Sequence, residues 1–437
     1  MKICDAIAEA KPGDTVLVRA GVYKERVKFK NGIKLVGEGK GQTIISNDTT
    51  SENVISVKDC NEGIISGLSI QHGALYLANS SIEVSDCAVS QSSASGILIT
   101  RGGSPFIHDC VVESNLNHGI DAYGTRTKPV IKNNLCSQNK EHGIFFHLGA
   151  KGEAEGNTCI QNSSGIATNN LITNVSLTNN RCISNKNWGI CIWGGAVATI
   201  KENICEKNNK SGIYVTGMDL IAKLEKQTIA TLHKNTCRSN KEYGIFFGPY
   251  AQGTIEGNTC EENESSGIRI VEVDNPVLVR DNTCRANYED GICFTSRAEV
   301  TAQNNVCIDN DWRGIMFAYG ASGRAEGNVC EGNGSPGILV YESGTTATLR
   351  NNVCRRNYPS GIVFSNGAEG KAEINICEDN PWSGIAVRGN GSDPDIMGNR
   401  CNNNGVWGII YWAGAKPVIT DNNVTLNNGK EGIKRRD

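Results

Sequence analysis

Cysteine recurs in this chain at 136, 159, 182, 205, 237, 260, 284, 307, 330, 354, 377 and 401, at intervals of 23 or 24 residues broken by one interval of 32. Val424 continues the series, and Cys60, Cys87 and Cys110 precede it. Two residues before each member stands an asparagine, from Asn134 to Asn422, and three residues after it stands another, from Asn139 to Asn427. A Gly-Ile pair follows, usually seven residues past the cysteine, from Gly119-Ile120 to Gly408-Ile409. A fixed period of this size is the mark of stacked repeats, in which each unit buries its apolar side only against its neighbours. It overrides the two or three globular domains that 437 residues would otherwise imply. Helical repeats are a poor fit, because Gly and Asn recur too densely and the apolar spacing within a unit is two. The expected fold is all-β, one solenoid domain over 1–437 built from short parallel strands in coils of about 23 residues.

In such a stack, equivalent residues lie roughly 4.8 Å apart, so each repeated side chain becomes a ladder. Asn suits the corners because it tolerates left-handed backbone and its amide both donates and accepts along the stack. Cysteine, small and apolar, suits the interior beside it. One thiol per coil is not the clustered spacing of a metal site, and a column of free thiols is expected in place of a disulfide framework. Cys191 and Cys293 lie off the column, on the strand after Gly-Ile, and are expected to face outward.

A net charge of -3 argues against nucleic acid as a partner, which would demand a basic field. No run of apolar residues is long enough to span a membrane, and the first five residues, Met1 to Asp5, lack the apolar core of a secretory signal. With Met1 native the reading is cytoplasmic; otherwise the location is undetermined.

The opening runs Ile7-Ala8-Glu9-Ala10-Lys11-Pro12-Gly13-Asp14-Thr15-Val16, then Ala20-Gly21-Val22-Tyr23-Lys24-Glu25 and Ile33-Lys34-Leu35-Val36-Gly37. With the coil repeat, it resembles the pectin-lyase-like superfamily over essentially the whole chain. The resemblance implies a right-handed parallel β-helix capped by a short N-terminal helix over 1–12, with the Gly-Ile segment starting the strand whose outer face carries the site. The superfamily includes lyases, polygalacturonases, methylesterases, alginate epimerases and modules without known catalysis, so the chemistry stays open. "HGIDAYG" at 118–124 is similar to the Tyr-Gly-Phe-Asp-Pro-His-Asp phrase of alginate epimerases but lacks the Pro-His-Asp, so no catalytic histidine carries over. Asp393-Pro394-Asp395 lies in a loop without the polygalacturonase surroundings, and the calcium-binding acidic trio of pectate lyases finds no counterpart. No cofactor is expected, and no calcium site can be assigned.

Counting from Gly-Ile, the Ile and the second residue after it face inward, and the first and third face out. The outer positions, with the residue before each Gly, bring together aromatic, amide and charged side chains. Candidate catalytic residues are His118, Asp121, Tyr123, His142 and His147, on neighbouring coils. Histidine exchanges protons near neutral pH, and acid-sugar lyases and epimerases need a base, an acid and a cation for the substrate carboxylate. Candidate substrate contacts are Arg101, Arg126, Lys128, Trp188, Trp193, Tyr243, Tyr341 and Trp412. A plain exposed strand face with strand-favouring aromatics and surface histidines is the competing account.

The first outward position is unusually apolar, with Phe145, Tyr214, Phe246, Met316, Leu339, Val363 and Ile410. Such a row implies contact with a ligand, a separate domain or a second copy in a homo-oligomer, unless the in/out assignment slips by one residue. The long coil carries a loop insertion at 217–227. Two functions remain open: a uronate lyase or C5-epimerase with its site at the histidine cluster, and a non-catalytic module that binds a polysaccharide or protein along the strand face.

Overall fold

The computed structural model describes residues 2–47, 53–218, 226–273 and 275–436, and the centre of the 217–227 insertion, 219–225, lies outside them. The chain folds as a right-handed parallel β-solenoid whose strands form three parallel sheets. Two compact units are present, the first Met1–Lys210 with Gly217–Ile229 and the second Ser211–Thr216 with Ala230–Asp437. The one helix among the described residues is Ile3–Glu9, which buries Ile3 and Ile7. It is shorter than the 1–12 expected because Ala10 is already extended, and Pro12 disfavours helix in the residue before it. The Glu25 carboxylate accepts hydrogen bonds from the Ile3 and Cys4 amides, both at 3.1 Å, and so caps the helix start.

Most repeats contribute one strand to each sheet, as in Val130–Lys132, Leu135–Ser137 and His142–His147, while the last two coils meet the second sheet only through isolated bridges at Arg400 and Val424. The second sheet holds the cysteine column in strict register, Cys136 with Cys159 and Cys159 with Cys182 in the first unit, and Cys237 with Cys260 and Cys260 with Cys284 in the second. Every cysteine is a free thiol.

On either side of that sheet run the two asparagine ladders. Asn134 Nδ2 donates to Asn157 Oδ1 at 3.0 Å, Asn157 to Asn180 at 3.0 Å, and the ladder from Asn139 repeats the pattern through Asn162 and Asn185. Each amide also donates to a strand carbonyl, as Asn157 does to Ile131 at 2.9 Å, so buried polar atoms at the corner are satisfied within the stack. Left-handed backbone belongs to the residue before each ladder asparagine, as at Asn133, Gln138, Asp281 and Ala286. The ladder positions therefore select asparagine for its amide and not for its backbone freedom. In the last coil the ladders end on Asn423 and Asn428, one residue later than the Asn422 and Asn427 of the repeat reading. Val424 pairs with Arg400 and is 46% exposed, and Thr425 takes the cysteine's place under Gly408.

Glycine of the Gly-Ile pair sits where consecutive coils come closest. A Cβ at Gly143 would lie 2.7 Å from the Gly165 carbonyl oxygen and 3.0 Å from Cys159 Sγ, so a side chain there would push neighbouring coils apart. The following Ile and the second residue after it fill the interior, with Phe146 in the first unit and Phe247, Phe294, Phe317 and Phe364 in the second fully enclosed. The in/out alternation therefore stands, and the first and third positions after Gly-Ile face outward on the third sheet.

Candidate functional site

In the first unit, Asp121 and Tyr123 project outward from the strand Ile120–Tyr123, in register with Phe145 and His147 of the next coil. His147 Nε2 lies 3.0 Å from Asp121 Oδ1, and Ser95 Oγ donates to Asp121 Oδ2 at 3.2 Å. Asp121 is 7% exposed, a carboxylate buried under the partners that satisfy it. A carboxylate can only accept, so Nε2 of His147 carries the proton and Nδ1 is the basic nitrogen. The Tyr123 ring lies 5.4 Å from the His147 ring. Beyond it, Tyr123, Arg101 and Arg126 line a hollow of about 310 Å³ that also includes Thr100 and Thr125. Tyr123 thus lies between the Asp121–His147 pair and the hollow that the two arginines line.

His118 and His142 form the other half of this surface and behave differently. Their rings stack at 5.1 Å, and His118 Nδ1 accepts the His142 amide at 3.3 Å, which leaves its proton on Nε2. Burial pushes the His118 pKa down to about 4 against the opposing charge of Asp121. It pushes that of His142 down to about 3, with the two neighbouring histidines acting in the same direction. Both are neutral imidazoles at neutral pH, and His142 Nδ1 has no hydrogen-bond partner. Phe145 ties the two halves together, stacked at 4.2 Å on His147 and 5.9 Å from the nearly parallel ring of Trp193. Trp193 is 4% exposed, and its indole Nε1 is buried without a hydrogen-bond partner.

The remaining sequence candidates divide. Lys128 is exposed, one residue past buried Thr127, and does not line the Arg101–Arg126 hollow. The face of Trp188 is covered by the Lys210 ammonium, 4.7 Å from its ring centre. His108 lies on the first sheet, 2.6 Å from Asp109 and stacked on Phe106, away from the cluster. In the second unit, Tyr243 packs on Phe246 at 5.6 Å beneath Arg269, Tyr341 OH accepts from Asn366 Nδ2 at 3.1 Å, and Trp412 meets Trp382 edge to face at 5.2 Å.

The apolar outward row is real, but its own neighbours cover it. Leu339, Val363, Ala386 and Ile410 point outward and are nevertheless at most 8% exposed, because Tyr341, Trp382, Trp407 and Trp412 pack over them. Cys293 and Met316 form a similar floor beside Tyr341. Burial pushes the thiols of Cys191 and Cys293 well up, so neither is a nucleophile at neutral pH. Much of what the row could offer a second copy is already taken. Trp382 escaped the sequence reading because it stands two residues before its Gly, outside the columns that alternation singles out. No cluster of three or more potential metal ligands occurs among the described residues.

A right-handed parallel β-helix with polar and aromatic clusters on its third sheet is the class these features define. The family model described as right handed beta helix region matches residues 30–181, 168–323 and 309–435, and the chain belongs to that family. No curated protein matches. Solved structures with similarity include the A-module of a mannuronan C-5 epimerase from Azotobacter vinelandii, at 15% identity over 99% of this chain and 93% of that one, TM-score 0.31. Another is the catalytic unit of an α-1,3-glucanase from Streptomyces thermodiastaticus, at 14% identity over 81% of this chain and 64% of that one, TM-score 0.41. A periplasmic alginate epimerase mutant shares 13% identity over 99% and 83%, TM-score 0.36.

Proposed function

We propose that this chain acts on a uronate-containing polysaccharide laid along the outer face of the third sheet, removing the proton at C5 of a sugar ring. The observation that carries the reading is the Asp121–His147 pair at 3.0 Å beside Tyr123 and the Arg101–Arg126 hollow. Proton removal next to a carboxylate requires a base, and His147 Nδ1, oriented through Nε2 by Asp121, supplies one. Arg101 and Arg126 neutralise the substrate carboxylate and so stabilise the charge that develops on it in the transition state. Tyr123 is the acid, delivering a proton to the departing C4 oxygen in a lyase or to the opposite face of C5 in an epimerase. His118 and His142, held neutral, accept hydrogen bonds from sugar hydroxyls or donate to them, and Phe145 packs beneath the histidine rings and holds them in place.

The test is incubation with a panel of uronate and neutral polysaccharides, following the unsaturated product and solvent exchange of the C5 proton. Product or exchange is expected only with the acidic polymers, and His147→Asn is expected to lower its rate by roughly 10²–10⁴-fold with the melting temperature retained. Undiminished turnover in that variant would remove His147 from the mechanism. One observation favours a second reading, a binding module without catalysis: the part-exposed rings of His118, His142 and His147 are joined through Phe145 into one aromatic cluster. Saturable binding without product, weakened by His118→Ala, would establish it.

A further inference from the structure

The second unit contains a recess of about 390 Å³ that the proposed chemistry does not use. Its floor is Leu339, Val363 and Ala386, its walls are Trp382 and Trp412, and Arg313 and Arg388 stand at its margins. The two indoles meet at 5.2 Å and 89°, so one presents its face where the other presents its edge. This is the mixture that a pyranose ring demands: apolar surface for its C–H faces, with polar groups at the rim for its hydroxyls. The polar groups there are Ser335 and the two arginines, while Ser360, bonded to Ser383 Oγ at 2.7 Å, lies buried beneath them.

The two arginines are not equivalent. Arg313 is clamped by buried Asp290, Nε to Oδ1 at 2.6 Å and Nη2 to Oδ2 at 3.0 Å, and its charge is matched there. Arg388 is exposed, and no carboxylate pairs with it among the described residues. One cation is therefore in excess at the recess.

We infer that this recess is a second saccharide site, which takes a single carboxylate-bearing sugar residue with its ring against Trp412 and the Leu339–Val363–Ala386 floor and its carboxylate on Arg388. It rests on the reading that the chain handles acidic glycans, but not on catalysis at His147. An anchoring site of this kind holds an acidic chain independently of turnover.

The experiment titrates full-length His147→Asn protein with a tetragalacturonate and with the neutral tetrasaccharide of cellulose, by calorimetry and tryptophan fluorescence, and repeats it with Arg388→Gln or Trp412→Phe added. The acidic oligosaccharide is expected to bind roughly tenfold or more tightly than the neutral one, and Arg388→Gln to weaken that binding about tenfold, the scale of one charge-assisted hydrogen bond. Trp412→Phe, which keeps an aromatic ring and the fold, is expected to weaken it less and to change the fluorescence response. Equal affinity with and without Arg388, or equal affinity for the two oligosaccharides, or no binding at all, would overturn the site. Loss of the catalytic reading registers elsewhere, as an absence of product from the unmodified protein.

Discussion

Asn282→Ala is expected to destabilise the second unit by roughly 3–5 kcal/mol, because it leaves buried polar groups without partners on two coils. The Asn282 side chain accepts from the Asn258 amide at 2.9 Å and from Asn258 Nδ2 at 3.0 Å, and it donates to Asn305 Oδ1 and to the Ile255 carbonyl, both at 2.9 Å. Water cannot take over these roles at a corner that is 0% exposed. In a stack where each coil touches only its neighbours, the damage is local. Chemical denaturation together with amide exchange should show a large loss, with protection falling first in the coils of Asn258 and Asn305. Asn61→Ala, at an exposed position, should cost little. Comparable small losses for both would mean that the ladder does not hold the coils together.

Acidification is expected to have an effect of similar size in the first unit. His118 and His142 have pKa values lowered to about 4 and about 3, in both cases first by burial, whereas unfolded histidine titrates near 6.5. Between those limits the unfolded chain binds protons that the folded chain does not, so the stabilising contribution is complete above pH about 6.5 and is lost as pH falls toward the folded values. Each histidine contributes a slope of about 1.4 kcal/mol per pH unit in that window. The melting temperature should therefore drop steeply from pH about 6.5 to about 4, and His118→Asn with His142→Asn should flatten the slope there. An unchanged slope in the double variant would show that the two imidazoles are not buried as neutral groups.

The repeat was legible because its constraints are local and periodic. The cysteine column, both asparagine ladders and the Gly-Ile pair each answer to a single requirement that recurs every coil: a small apolar filler, a self-complementary amide, a residue without Cβ where coils touch. Alternation then gave the outward direction of Asp121, Tyr123, Phe145 and His147, and with it the cluster. What stayed hidden depends on neighbours. Left-handed backbone at Ala286 or Ile374 has no sequence signature, since the coil on each side imposes it. The slip of the last coil to Asn423 and Asn428 could not be told from adjacent asparagines. Alternation states where a side chain points and not what covers it, so the buried state of Leu339 and Ile410 and the wall supplied by Trp382 emerged only from the packing. The neutral state of His118 and His142 follows likewise from burial, which spacing does not reveal.

The outer face of the third sheet is the proposed glycan site. A crystal structure of the His147→Asn protein with a bound oligouronate tests it most directly. It should show the sugar chain on that face, with one carboxylate at Arg101 and Arg126 and the C5 position of that ring near residue 147. An oligouronate seated on the first or second sheet instead, with the Arg101–Arg126 hollow unoccupied at saturating ligand, would contradict it.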